Sequence, residues 1–353
     1  MISANAIMDR CLEEGFAAAG VADAQGSRYG QQLRAWLEQG RHGDMQWLEE
    51  HVELRIDPRV LVPGAQSVIV VADRYDGAPD EAVPERGGRI ARYARGRDYH
   101  TFMKKRLHRV ADTLSEQYPG ETFRACVDTA PILEREVAAA AGLGAIGKHT
   151  LLIEPSIGSW LLLGEIVTTL AIEPTGTHQD LDPCGACTRC IDACPTEAIK
   201  PWSVDATRCV SYLTIEHRSP INPDFFEGIG DWLFGCDICQ EVCPHNQPTD
   251  HTRTQPTEPA YDARSRSHDA SGTSLDVMAV LNWTEEDRRE AFTTSAMKRA
   301  KLDMIRRNAV IVAGNQLRRE DDPPLRECLV RIAADQNEPP LVREAAVNVL
   351  NVR

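Results

Sequence analysis

The sequence predicts an α/β N-terminal domain (residues 1–180), a two-cluster insert of bacterial-ferredoxin type (181–248), a connecting segment (249–274) and a helical C-terminal domain (275–353). Three observations carry that division. Apolar, strand-length runs alternate with helical periodicity through the first half of the chain. Seven cysteines then crowd into two runs, each ending in Cys-Pro. The remainder is helical in period and carries an internal repeat.

In the first part, a helix is predicted at Ala4–Ala19, an amphipathic stretch near Leu33–Leu48 and a buried strand at Ser67–Asp73. A helix over Thr101–Gln117, a strand at Thr122–Val127 and a helix at Leu133–Ala141 follow. Two apolar runs, Leu151–Ile153 and Ser159–Ile172, close the part, with Gly and Pro at the turns. The insert has few core signals, and short helices are expected after each Cys-Pro, so bound metal would hold it together. Asn246–Ser274, rich in Pro, Thr, Ser and Asp, reads as a loosely packed connection. In the tail, residues 304–313 align with 341–350 at an offset of 37, pairing Arg306 with Arg343, Ala309 with Ala346, Val310 with Val347 and Val312 with Val349. A period of about 40 residues with apolar helix faces is the mark of HEAT-like helix pairs.

The runs Cys184-Cys187-Cys190-Cys194-Pro195 and Cys236-Cys239-Cys243-Pro244 have a physical logic. Two-residue gaps let successive thiolates converge on one iron–sulfur cubane, while the cysteine before proline turns toward the neighbouring cluster. One 4Fe-4S cluster would take Cys184, Cys187, Cys190 and Cys243. The other would take Cys194, Cys236 and Cys239 plus one thiolate from outside the runs, for which Cys209 is the nearest candidate. Zinc sites also use CxxC, but tetrahedral zinc needs no seven-cysteine interleave. A disulfide scaffold fits poorly with a chain that opens without an apolar signal. Cys11, Cys126 and Cys328 read as buried, inert thiols.

With 353 residues the chain can build more than one core. No apolar stretch approaches the roughly 20 residues that span a bilayer, so a soluble, cytoplasmic, monomeric protein without a membrane partner is expected. A net charge of -14 argues against indiscriminate nucleic-acid binding, which grows with the number of cationic contacts. Locally the balance reverses: Lys298, Arg299, Lys301, Arg306, Arg307, Arg318 and Arg319 stand against Asp303 alone. That segment is the expected phosphate-facing surface, weighed against an ordinary solvated helix face.

Gly142-Leu143-Gly144-Ala145-Ile146-Gly147-Lys148-His149 is neither a dinucleotide fingerprint, since a helix precedes it, nor a P-loop, since His149 stands where Ser or Thr is needed. It is expected to be a glycine-lined surface close to a large ligand, with Lys148 and His149 at its rim. Asp128 ends a predicted strand just before Pro131. It reads either as a helix-flanking aspartate or as an acid at a ligand crevice, its pKa raised by apolar neighbours so that it can donate a proton.

These residues resemble the epoxyqueuosine reductase family over nearly the whole chain. The resemblance rests on Gly43-Asp44-Met45, Arg55 with Pro58, Pro63-Gly64-Ala65 with Ser67, Tyr93 to His100, Val127 to Arg135, Gly142 to Thr150, both cysteine runs and the helical Arg-Asn-Ala tail. It implies an N-terminal domain holding cobalamin beside the first cluster, and a HEAT-like domain that helps hold tRNA. It also implies Cys209 as the fourth ligand of the second cluster and Asp128 as proton donor. Arg55, Tyr99, His100, Lys148 and His149, with Asp128, fall in segments resembling the cofactor pocket. Lys298, Arg299, Arg306 and Arg307 are the expected tRNA contacts. The implied reaction is a two-electron reduction of epoxyqueuosine to queuosine at the wobble base of tRNA, fed by a low-potential donor. A reductive dehalogenase-like enzyme and a ferredoxin-like electron carrier are the competing readings; the first leaves the helical tail unused, the second the large α/β part.

Overall fold

The computed structural model describes residues 1–76, 84–176, 181–247, 257–263 and 272–351. Most of the expected connection, 249–274, lies outside them.

The N-terminal half is built on a four-stranded sheet in the order Ala18–Asp23, Ser67–Arg74, Leu161–Thr168, Phe123–Cys126. The expected helix Ala4–Ala19 stops short, and its last two residues, Ala18 and Ala19, open the first strand. Gly15, at φ +89°, ends the helix Asn5–Glu13 in a conformation that L side chains rarely adopt. The chain then pairs with Ser67–Arg74 instead of continuing helically. Alternation sorts the side chains of the sheet. Ile69, Val71 and Ile166 join one apolar cluster with Cys11, Met103, Leu107 and Val110, from the helices Asn5–Glu13 and Tyr99–Gln117. Val68, Val70, Leu163, Val167 and Cys126 join another with Ala138 of the helix Glu134–Ala140. Helices thus line both faces, as an α/β reading expects. Every pairing in the sheet is antiparallel, however, so Asp128 does not sit at a parallel-strand crevice. It lies just past the edge strand Phe123–Cys126.

The expected boundaries do not separate independent cores. Trp232–Phe234, Gly87–Ile90 and Ser274–Asp276 form one three-stranded sheet, joining segments from all three parts. A single apolar cluster runs from Ala4 to Val349. In the cysteine region, the short helices Arg189–Asp192 and Ile238–Glu241 precede each Cys-Pro rather than follow it. Pro195 instead leads into the hairpin Ile199–Lys200 and Ser203–Val204. Only Pro244 opens a turn of helix, Pro244–Asn246, of the 3-10 type.

The tail folds into the helices Leu302–Arg319, Pro323–Ala334 and Pro340–Asn351. The two copies of the repeat lie on the first and third of these. Those helices pack closely at Gly314, where an added Cβ would stand 2.5 Å from a Val349 methyl. Equivalent residues differ in burial: Val310 is buried, while its counterpart Val347 is exposed.

Candidate active site and cluster-binding region

Asp128 has a positive φ of 42°, a left-handed conformation that aspartate tolerates better than most residues. Glu134 holds this kink, its Oε1 accepting the Asp128 N–H at 2.5 Å. The Asp128 carboxylate lies 2.8 Å from Nε2 of His100, and Tyr99 hydrogen-bonds it as well. Nδ1 of His100 lies 2.7 Å from Oδ1 of Asp98. Both ring nitrogens therefore face carboxylate oxygens and both must donate, which makes the ring an imidazolium. Tyr99 stacks on it with ring centroids 4.0 Å apart. Asp98 caps the helix Tyr99–Gln117 through the His100 N–H and takes Lys298 Nζ on its other oxygen at 2.5 Å.

The electrostatics follow from this chain. Desolvation opposes charge on His100, but the hydrogen bonds to Asp128 and Asp98 outweigh it and push its pKa up to about 9. Desolvation likewise raises Asp128, and the bond and charge of His100 more than cancel it, so Asp128 stays below its ordinary value. The expected elevation of Asp128 by apolar neighbours is thus reversed: a cation sits on it. The raised carboxyl is Glu134, pushed up to about 8 by desolvation and then by the Asp128 charge. Sequence reasoning missed Asp98 and Glu134. Both lie inside the segments Tyr93 to His100 and Val127 to Arg135 that carry the resemblance, and their helix-start positions were the available signal for a role.

The structure gathers the other expected pocket residues unequally. Arg55 is buried, stacked 5.0 Å over Trp47, with its charge felt at Glu134 and Asp128 and its Nε without a partner. His149 Nδ1 accepts the Leu151 N–H at 3.1 Å, which leaves the proton on Nε2, a buried donor without a partner. Burial, then the charge of Arg135, holds His149 down at about 4. Lys148 departs from expectation. It is buried, and a buried ammonium needs acceptors, which it finds in the carbonyls of Gly185 at 2.6 Å and Cys187 at 3.0 Å. Lys148 therefore braces the cysteine loop. The glycine motif departs too. Gly144, at φ +149°, approaches its own chain, where an added Cβ would stand 2.3 Å from the Ile153 carbonyl oxygen. Gly144 thus serves the tight hairpin of Ala145–Ile146 with Leu152–Ile153, and Gly142 packs against Gly176.

The thiols fall into two sets. Cys190 feels the charges of Cys184, Cys243 and Cys187. Cys236 feels Cys209 and Cys194, and Cys239 feels Cys236 and Cys209 first. Main-chain N–H groups point at the sulfurs: Lys148 N–H donates to Cys184 Sγ at 3.3 Å and Ala198 N–H to Cys194 Sγ at 3.3 Å. Such bonds favour the anionic sulfur and tune cluster potentials. Among the described residues no three His, Cys, Asp or Glu side chains gather as a single metal ion requires. Eight thiols in two sets of four, with N–H donors aimed at sulfur, suit a pair of four-iron clusters. Cys11 and Cys126 are buried, their thiols pushed up to about 12, and Cys328 is buried also.

Two of the seven basic residues of the expected phosphate surface, Arg306 and Arg307, are spent inside the protein. Arg307 is fully buried and donates to the carbonyls of Leu213, His217 and Ser219. Arg306 bonds Glu338 at 2.8 Å and the Leu281 carbonyl at 2.9 Å. Arg307 therefore cannot meet an RNA backbone, and Arg306 is committed to an internal ion pair. Their helix lies between neighbours, so its basic residues had to find internal acceptors. Arg299 pairs with Glu216 and Arg319 with Asp231, both at the surface. Lys298 and Arg299 stay partly exposed beside the Asp128 chain, at 63% and 46% of the side chain.

Comparison with known proteins agrees with this layout. Residues 55–129 match the family model described as epoxyqueuosine reductase QueG, DUF1730, and residues 183–246 match the 4Fe-4S double cluster binding domain. An epoxyqueuosine reductase of a Synechococcus species is 41% identical over 310 residues, covering 86% of this chain and 92% of the relative. That of Pseudomonas aeruginosa is 36% identical over 320 residues, covering 88% of this chain and 85% of the relative. The crystal structure of an epoxyqueuosine reductase with an epoxyqueuosine-modified tRNA stem loop superposes with a TM-score of 0.84 at 25% identity, over 98% of this chain and 89% of that one. The enzyme from Streptococcus thermophilus superposes with a TM-score of 0.82 at 28% identity, over 98% of this chain and 89% of that one. With relatives this similar over nearly their full length, and with the cysteine sets and the Asp128 chain in place, the protein belongs to the epoxyqueuosine reductase family.

Proposed function

We propose that this chain reduces epoxyqueuosine to queuosine in tRNA. The observation that carries the reading is the juxtaposition of an electron-transfer region with a carboxylate held against a proton-loaded imidazolium. Lys148 bonds the loop of the first cysteine set, and the groups following it, His149, Arg135, Glu134 and Asp128, act electrostatically on one another in series. Removing the epoxide oxygen consumes two electrons and two protons, giving an alkene and water.

Cys184, Cys187, Cys190 and Cys243 would hold one cluster, and Cys194, Cys209, Cys236 and Cys239 the other, for single-electron transfer from a low-potential donor. Two unpartnered donors, Arg55 Nε, whose side chain interacts electrostatically with Asp128, and His149 Nε2, near Arg135, suit the polar rim of a large cofactor. Cobalamin, when bound there, would supply a low-valent metal able to accumulate electrons. Asp128, ionised against His100 at rest, takes up the proton that His100 holds between two carboxylates and delivers it to the departing oxygen. Tyr99 fixes the imidazolium by stacking, and Asp98 with Lys298 fixes its orientation.

The aligned helices of the tail stack directly, which supports the HEAT-like reading of residues 275–353. Lys298 and Arg299 stand where that tail meets the Asp128 chain, and we assign them to the tRNA backbone. The modified base must leave its stack to reach Asp128. No described helix is long and apolar enough to cross a membrane. The test is anaerobic turnover of epoxyqueuosine-containing tRNA with cobalamin and a low-potential donor. The expected result is loss of one oxygen from the base by mass spectrometry; an unchanged base under loaded, reducing conditions would refute the assignment.

A further inference from the structure

Glu165 is an ionisable residue at the centre of an apolar strand, and it has no part in the chemistry of Asp128 given so far. It is 0% exposed, and neither carboxyl oxygen has a hydrogen-bond partner. A buried carboxyl in that state costs free energy that a well-paired or apolar residue would not, so it calls for a reason. Its position supplies one. Glu165 pairs with Cys126 on the edge strand that leads to Asp128, and with Val70 on the other side. Its strand face is the one covered by the helix Glu134–Ala140. The titratable groups acting on it from the elements packed around it are Glu134, Asp128 and Cys126, and none is a cation. Without a cation or a donor, Glu165 has to keep its proton. Glu134, which bonds the Asp128 main chain, is the carboxyl whose charge acts on Glu165 first, and it keeps its proton as well.

We propose that Glu134 and Glu165 form a proton-holding pair that reloads the Asp128–His100 couple during the reaction. The inference rests on the reduction proposed above, whose two protons exceed the one that His100 can release. After Asp128 has passed the His100 proton to oxygen, the Glu134 O–H bond breaks and its proton passes to the Asp128 side. The Glu165 O–H then breaks, and its proton restores Glu134. The charge left on Glu165 is neutralised by a proton returning from solvent along the same groups. No electrons move in these steps; both come from the low-potential donor. Glu134 and Glu165 act through Asp128 and do not touch the substrate.

Infrared spectroscopy of protein carrying carbon-13-labelled glutamate tests the pair directly. Two neutral glutamic-acid carbonyl bands are expected at neutral pH in the wild type, one lost in Glu134→Gln and the other in Glu165→Gln. Gln at 134 keeps the acceptor for the Asp128 N–H. In single turnover each variant is expected to be about tenfold slower or more, within the range of acid–base effects. The alkaline fall in rate should move from about 8 in the wild type, set by Glu134, to about 9 in Glu134→Gln, set by His100. Cluster absorbance reports whether each variant is folded. A wild type without neutral glutamate bands overturns the pair whatever the variants do. Folded variants with wild-type rates and an unmoved pH edge overturn it too. A wild type that shows both bands yet leaves epoxyqueuosine unreduced would count against the reaction and not against the protonation of the pair.

Discussion

The ammonium of Lys298 closes on the carboxylate of Asp98, 200 residues earlier in the chain, at 2.5 Å. Asp98 is the group that orients His100, and His100 is the cation against Asp128. The helical tail is thereby coupled to the acid of the site, and a change in how the tail sits, such as tRNA binding, would be felt at the proton donor.

Asp128→Asn keeps the shape of the side chain and removes the carboxylate that relays the His100 proton. Turnover should fall by about two orders of magnitude or more, while cluster and cobalamin absorbance stay unchanged. Retained turnover in anaerobic assays would exclude Asp128 as the acid.

The pH dependence has a definite sign. His100 is raised from 6.5 to about 9, so the folded state favours its charged form. The stability contributed by the pairing is complete below about 6.5 and is lost as pH rises through about 9. Asp98→Asn removes one of the two carboxylates. The His100 value should fall toward neutrality, and the alkaline loss of melting temperature should begin at lower pH. Proton NMR of the His100 ring measures the value directly; an unchanged titration would show that Asp98 does not set it.

Arg307 should behave as a stability residue. Replacing it by Met leaves the carbonyls of Leu213, His217 and Ser219 without their donor in a buried place. A loss of about 3 kcal/mol or more is expected, read as a lower denaturation midpoint. The salt dependence of tRNA binding should be unmoved in whatever fraction stays folded. By contrast, Lys298→Ala and Arg299→Ala should each reduce the salt slope by about 1.

Cys209 separates the two cluster assignments. In Cys209→Ala the iron content should drop from about eight to about four per chain, and the surviving cluster should be the one served by Cys184, Cys187, Cys190 and Cys243. Full iron content in that variant would place the eighth ligand elsewhere.

The cysteine spacing determined its own chemistry, because a cubane dictates how far apart its ligands can lie along a chain. Strong local signals were equally legible: the strand Ser67–Arg74, the helix Tyr99–Gln117 and the repeat in the tail all follow from short-range periodicity. The strand Ala18–Asp23 was not, since a single left-handed glycine and a distant partner strand decided it. Electrostatics were least legible of all. Sequence could name Asp128, yet whether its pKa rises or falls depends on His100 arriving at 2.8 Å from another element. Likewise a run of basic residues can show its charge but not its partners. Arg306 and Arg307 read as a phosphate surface until packing gave one a glutamate and the other three carbonyls. Charge is a property of the residue, whereas desolvation and pairing belong to the neighbours, and only the folded chain chooses those.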